Sequence, residues 1–162
     1  GNDMTFYTGT RKIGDNFGGG IIFYIDNTGQ HGLICAKTDQ STGIQWYNGS
    51  YVITSATETS VGKGQSNTTK IVSVQQAGNY AAKICDDLVL NGYSDWFLPS
   101  KDELDLMYKN LKAKGHGGFS DSVYWSSTEY NTNNAFYQTF DNGYQDNTAK
   151  SILKYVRAVR AF

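Results

Sequence analysis

Between Tyr130 and Asn147 the chain places Tyr130, Asn131, Asn134, Tyr137, Asn142, Tyr144, Asp146 and Asn147 in one short polar stretch. The chemistry this offers is recognition. Tyrosine gives a large contact area with few rotatable bonds, and asparagine gives adaptable donors and acceptors. Framework-like segments stand on either side. Tyr124-Trp125-Ser126-Ser127-Thr128-Glu129 precedes the stretch, and Tyr155-Val156-Arg157-Ala158-Val159-Arg160-Ala161-Phe162 follows it. The tyrosines, asparagines and Asp146 are therefore the candidate ligand-binding residues. Asp141 to Asn147 also holds oxygens enough for calcium, but without EF-hand spacing. Its Asn142-Gly143 pair reads instead as a hairpin turn.

Residue types suited to other chemistry are sparse. His31 and His116, the only histidines, lie far apart in glycine-rich turns. Neither has partners at the spacing of a metal site or a Ser-His-Asp array. Gly62-Lys63-Gly64-Gln65-Ser66 lacks the Gly-Lys-Ser/Thr ending of a phosphate loop and reads as a flexible loop. Cys35 falls in an apolar strand and Cys85 on the apolar stripe of a helix, so two buried free thiols are expected. Arg157 and Arg160 fall on opposite faces of a strand and read as structural, each satisfying an acidic residue or a loop carbonyl. Trp96 and Trp125 read as core, whereas Trp46, in a long polar segment, is open to core or ligand roles. Asn48-Gly49-Ser50 and Asn67-Thr68-Thr69 are glycosylation sequons by pattern only. No catalytic residue, metal ligand or cofactor is expected.

The elements that must position the polar stretch follow from periodicity. Ile21 to Ile25 and Leu33 to Lys37 predict a β-hairpin across a turn-rich Asp26–Gly32. Asp39 to Lys70 reads as a long polar loop. Ser73 and Gln76 form a capping-box pattern, and Ala77, Tyr80, Ala81, Ile84, Cys85 and Leu88 recur at helical spacing up to a stop at Asn91-Gly92. A second helix starts after Pro99, with Ser100 and Glu103 as capping box and Leu104, Met107, Tyr108 and Leu111 as its buried stripe. Gly115 to Gly118 ends it. Strands are expected at Ser122–Ser126, Ala135–Phe140 and Lys154–Phe162. In Ala135–Phe140 the alternation places Phe136 and Phe140 inward and Tyr137 outward, with the candidate residues exposed and contiguous. Strand Ile21–Ile25 is expected near strand Tyr155–Phe162, because both are too apolar for an open edge.

The 162 residues make one ordinary domain, 1–162, with a lead-in segment at 1–12. The order of elements predicts an α+β fold, two helices beside an irregular antiparallel sheet. A net charge of -1 without a long basic run argues against a nucleic-acid partner. No apolar stretch is long enough to insert in a membrane. No signal peptide is visible, though Gly1 fits the scar of tag removal, which would leave a targeting segment or lipid anchor on a removed N-terminus.

Three blocks together carry a resemblance. They are Gly19-Gly20-Ile21-Ile22-Phe23-Tyr24 with His31-Gly32-Leu33-Ile34, then Gly92-Tyr93-Ser94-Asp95-Trp96-Phe97-Leu98-Pro99-Ser100-Lys101-Asp102-Glu103-Leu104, then Tyr124 to Glu129 closed by Tyr155 to Arg160. The chain, from Ile13 to Phe162, resembles the family named for the C-terminal domain of the Legionella collagen-like adhesin, close to the Fibrobacter succinogenes major paralogous domain. The resemblance implies a C-type-lectin-like fold of the formylglycine-generating-enzyme variety. It implies a secreted or surface-anchored bacterial protein, often a lipoprotein of Bacteroidetes, and some related domains are variable proteins of diversity-generating retroelements. Neither Glu-Pro-Asn nor Trp-Asn-Asp occurs, so calcium-dependent sugar binding of the usual lectin kind is not implied. The expectation is a non-enzymatic surface domain that binds an extracellular protein or glycan. The alternatives are a formylglycine-generating type of enzyme, which needs two reactive cysteines in one site, and a structural module of a surface assembly.

Overall fold

A computed structural model of the chain describes residues 9–162. Of the lead-in segment, residues 1–8 lie outside the described residues. The fold is α+β, with two sheets and three α-helices among the described residues. The apolar, β-branched run Gly20–Ile25 is strand β2, antiparallel to β3, Gly32–Cys35. A two-residue strand β1, Asn16–Phe17, flanks β2. The second sheet has the order β4 (Ser41–Ile44), β8 (Lys154–Val156), β5 (Val123–Glu129), β6 (Asn134–Thr139), β7 (Gln145–Ala149). Only β5 and β8 run parallel. No helix of the described residues is long and apolar enough to cross a membrane.

The expected single strand Lys154–Phe162 is two strands in different sheets. Lys154–Val156 is β8, and Val159–Ala161 is β9, which pairs with β3. The hairpin and the chain end thus share a sheet, with β3 between β2 and β9. The break comes at Arg157-Ala158. Arg157 is drawn inward to Asp39 and to the carbonyls of Ala36, Gly117 and Gly118. Val159 then forms a separate bridge with Phe97.

Two apolar clusters result, and the framework blocks contribute to both. In β5, Tyr124 joins the cluster around Phe23, Phe97, Leu104 and Phe140, while Trp125 joins that around Trp46, Tyr80, Trp96 and Val156. A strand covered on both faces reads as a continuous bulky run, and each such side chain contributes about 1.5–3 kcal/mol of burial. The three indole N–H groups all donate to main-chain carbonyls: Trp46 to Ser126, Trp96 to Tyr93, Trp125 to Ile44. Trp46 is therefore core.

The helix expected from Ser73 to Leu88 is replaced by two. α1 spans Gly64–Gln75 and α2 spans Ala81–Asp86. Ser73 lies inside α1 and caps nothing. Gln76, at φ 56, ends α1 before the apolar stripe of α2 begins. The fold also holds one helix more than expected. Asn91-Gly92, with φ 53 and 82, forms the tight turn between the paired Leu90 and Tyr93 rather than a helix stop. The helix after Pro99 stands as read. α3 spans Lys101–Asn110, Ser100 and Glu103 complete the capping box, and a short 3₁₀ turn ends at Gly115.

Candidate functional site

The β6–β7 ribbon forms one end of the five-stranded sheet and carries most of the candidate residues. Its pairing is regular from Asn134↔Ala149 to Gln138↔Gln145. Side chains therefore alternate cleanly between two faces. Asn134, Phe136 and Gln138 share one face with Gln145 and Asn147, the face toward α3. Gln138 donates to Asp105, and Gln145 donates to the Lys101 carbonyl. Tyr137 and Asp146, opposite each other, lie on the other face with Tyr144.

This arrangement corrects the expectation of one contiguous exposed surface. Tyr130, Asn134 and Asn147 fall on the α3 side, Asn131 holds the turn before β6 through its Oδ1, and Tyr137, Tyr144 and Asp146 fall on the far side. Tyr130, Asn131, Asn142 and Tyr144 are exposed, but Asn134, Tyr137, Asp146 and Asn147 are half-buried. Tyr137 does not point freely outward, because it packs against the Trp125 cluster. Phe140 is core as expected, but Phe136 is not: it is half-buried beside Tyr130, at 5.4 Å between ring centroids, and Gln138, between the two phenylalanines, is fully buried. Gln138 stays inside because its amide meets Asp105, the Gly143 carbonyl and Gln145.

On the α3 side, Lys101 Nζ lies 4.7 Å from the Phe136 ring centroid, and Asn134 donates to Asn147 across the ribbon at 2.9 Å. On the far side, Lys154 Nζ lies 4.2 Å from the Tyr137 centroid and 5.2 Å from that of Trp125. Burial pushes the Lys154 ammonium below its ordinary pKa. Among the described residues its Nζ has neither a carboxylate nor a hydrogen-bond acceptor. Tyr144 Oη donates to Asp146 at 2.9 Å, which raises the phenol. The Asn147 N–H, with Tyr144, holds the Asp146 carboxyl below its usual range. Asn142 holds the turn, with Oδ1 accepting from the Tyr144 N–H and the Thr139 hydroxyl. Gly143, at φ 82, completes it with its N–H on the Thr139 carbonyl.

The block before the ribbon is a clamp. Ser126 donates to the Phe136 carbonyl, and Thr128 donates to that of Glu58. Glu129 accepts from the Thr54 N–H and hydroxyl and from the Ser55 N–H. Lys150, fully buried, meets Glu129 at 2.7 Å and donates to the Val52 carbonyl. Long and polar, segment 45–63 is therefore fastened down along much of its length.

Other candidates resolve as framework. Arg160 pairs with Asp95 through two nitrogens and donates to the Gly18 carbonyl. Both cysteines are free and buried, Cys35 in the Phe23 cluster and Cys85 in the Trp46 cluster, so they share no site. Burial raises both thiols, Cys35 to about 12. Among the described residues no group of His, Cys, Asp and Glu is placed to hold a metal. Gly62 to Ser66 is not a flexible loop, because α1 starts at Gly64. An anion does meet that segment, but it is the chain's own: Glu103 accepts from the Gly62 N–H at 3.0 Å.

Sequence reasoning missed Lys101 as a neighbour of Phe136 and Lys154 as a neighbour of Tyr137. The signal for Lys154 was its place in a β-rich run beside exposed Ile152 and Leu153 without an acidic residue nearby in sequence.

The family described as Lcl C-terminal domain matches residues 36–160. No curated protein matches the chain. Among solved structures, a fimbrial protein from Bacteroides ovatus is similar in fold, with a TM-score of 0.51 and 16% identity over 79% of this chain. The chain spans 35% of that structure's length.

Proposed function

The chain belongs to the Lcl C-terminal domain family, and from that premise we propose a non-enzymatic, surface-exposed adhesion module that recognises an extracellular protein or glycan. The fold variety we assign is C-type-lectin-like. The protein would act outside the cell, at the bacterial surface, carried there by a lipid anchor or by a larger surface assembly. The observation that carries this reading is the β6–β7 ribbon. Exposed Tyr130 and Tyr144 and half-buried Tyr137 surround it, while the acidic and basic groups nearest the core are spent on the framework. Exposed aromatic anchors on a rigid support are what binding hot spots are made of. The adhesin family and the fimbrial fold neighbour agree with a surface role.

The test is a glycan array together with a pull-down from host mucosal extract, repeated with Tyr130→Ala and Tyr144→Ala. Both residues are more than half exposed, at 54% and 57%, so the variants should melt close to the parent. At least one should weaken the captured ligand about tenfold or more. Unchanged binding in both would move the site away from the ribbon, and the absence of any ligand would reject the adhesion reading.

A further inference from the structure

We propose that the far side of the β6–β7 ribbon is a subsite for a sugar carboxylate, with Lys154 as its anchor and Tyr144 and Asp146 as its flank. This deepens the adhesion reading above and rests on it. The argument starts from a row of residues across the sheet. β8, β5, β6 and β7 are neighbours in that order, and Lys154, Trp125, Tyr137 and Asp146 come from them in turn. Trp125 pairs with Tyr137, and Tyr137 with Asp146. A cation thus stands at one end of the row and a carboxylate at the other, with half-buried Tyr137 between them beside the fully buried Trp125.

The two ends differ in how well they are satisfied. Asp146 already accepts from the Asn147 N–H and the Tyr144 hydroxyl. Lys154 has two ring faces near its ammonium and no acceptor among the described residues. Ring faces stabilise a cation electrostatically but accept no conventional hydrogen bond from its three N–H groups, which in this half-buried residue are left to solvent. Among the other buried or half-buried cations of the described residues, Lys150, Arg157 and Arg160 each hold a carboxylate, while Lys101 on the α3 side faces the single Phe136 ring. A carboxylate oxygen brought by a ligand would complete Lys154 with a charge-assisted bond in a partly dry setting.

Asp146 narrows the ligand. Its charge disfavours a dianion on this face, and its free lone pairs suit hydroxyl donors. The exposed Tyr144 ring supplies a stacking surface. One carboxylate, adjacent hydroxyls and a flat apolar face describe a uronic acid unit.

The probe is an oligogalacturonide, compared with its methyl-esterified form, which keeps the sugar skeleton and removes the charge. A galactose oligosaccharide bearing sulfate esters is the third arm. Calorimetry measures affinity, and NMR of the lysine side chains reports whether Lys154 is the group perturbed. We expect the acid to bind about tenfold or more tightly than the ester, consistent with a charge-assisted hydrogen bond. We expect Lys154→Met to erase that preference and Lys154→Arg to retain part of it. Should Lys154→Met fail to fold, the lysine NMR of the parent protein decides alone. Equal affinity for acid and ester, an unmoved Lys154 resonance, a preference surviving in Lys154→Met, binding of the sulfated arm only, or no binding of the acid would each overturn the proposal. If the acid shows no preference over its ester while a ligand captured from mucosal extract still loses affinity in Tyr130→Ala or Tyr144→Ala, the adhesion reading stands while the subsite falls.

Discussion

Glu103 shows how one side chain can serve two helices. Its carboxylate accepts from the Ser100 N–H at 2.8 Å, closing the capping box of α3, and from the Gly62 N–H just before α1. Both helix starts gain a negative charge where their dipoles favour one. Even so, burial dominates and raises the Glu103 carboxyl above its ordinary 4.5. Glu103→Gln relieves the buried charge but faces two N–H donors with one acceptor, and an orphaned donor costs about 1–3 kcal/mol. Net destabilisation in urea unfolding at neutral pH is the expected outcome. The pH dependence has a definite sign. With the folded value raised, the folded state binds the proton more tightly, so Glu103's contribution grows as pH falls from above the folded value to the unfolded one near 4.5. The gap between parent and variant should therefore widen on acidification through that window. A gap that narrowed there would reject this account. Asp95 behaves in the opposite way: Arg160 holds its carboxyl low, so its contribution is lost only as pH falls below its ordinary 3.8.

At the scale of elements, α1 is the instructive one. Its buried residues are Gly64, Asn67, Thr68, Ile71 and Gln75, spaced as one helical face. Most are polar or lack a side chain. Thr68 exchanges hydrogen bonds with the main chain of Leu98, and Gln75 holds Asn48 and the Trp46 carbonyl. Hydrophobic periodicity is blind to such a face, and that is why the segment reads as a loop in sequence. The capping box and apolar stripe of α3 obey the ordinary rules and were legible, as were the β2–β3 hairpin and the buried Trp96 and Trp125. The candidate site was legible only as a composition. Which side of the ribbon each residue takes depends on register with β5, and an apparently inward Phe136 loses its place to a hydrogen-bonded Gln138. Gly64→Ala tests the reading of α1. A Cβ there would meet Glu103 Oε1, the Phe97 ring at 2.8 Å and the Leu98 carbonyl at 2.9 Å. Helix propensity alone favours alanine by about 1 kcal/mol. Overpacking against main chain costs about 1–3 kcal/mol, so the melting temperature should fall rather than rise.

The whole molecule depends on a chain end that belongs to both sheets. β8 closes onto β4 and β5, β9 closes onto β3, and Arg157 sits at the passage between them. The residue is 1% exposed, and its side chain joins four groups: Asp39, the Ala36 carbonyl at the end of β3, the Gly117 and Gly118 carbonyls after α3, and the Phe119 ring at 4.0 Å. A planar fork can reach several acceptors in fixed directions, whereas a lysine ammonium is a single point with a shorter reach. Arg157→Lys keeps the charge and the pairing with Asp39 within range, yet it leaves buried carbonyls without donors at about 1–3 kcal/mol each. We expect a loss of at least about 3 kcal/mol in denaturant unfolding. Because the residue ties both sheets, hydrogen-exchange protection should fall together in β3, β5 and β9, while the β6–β7 ribbon, held by its own ladder, keeps its pairing until global unfolding. If protection fell in one sheet alone, Arg157 would be a local anchor, and the two sheets would be joined chiefly by the bridge between Phe97 and Val159.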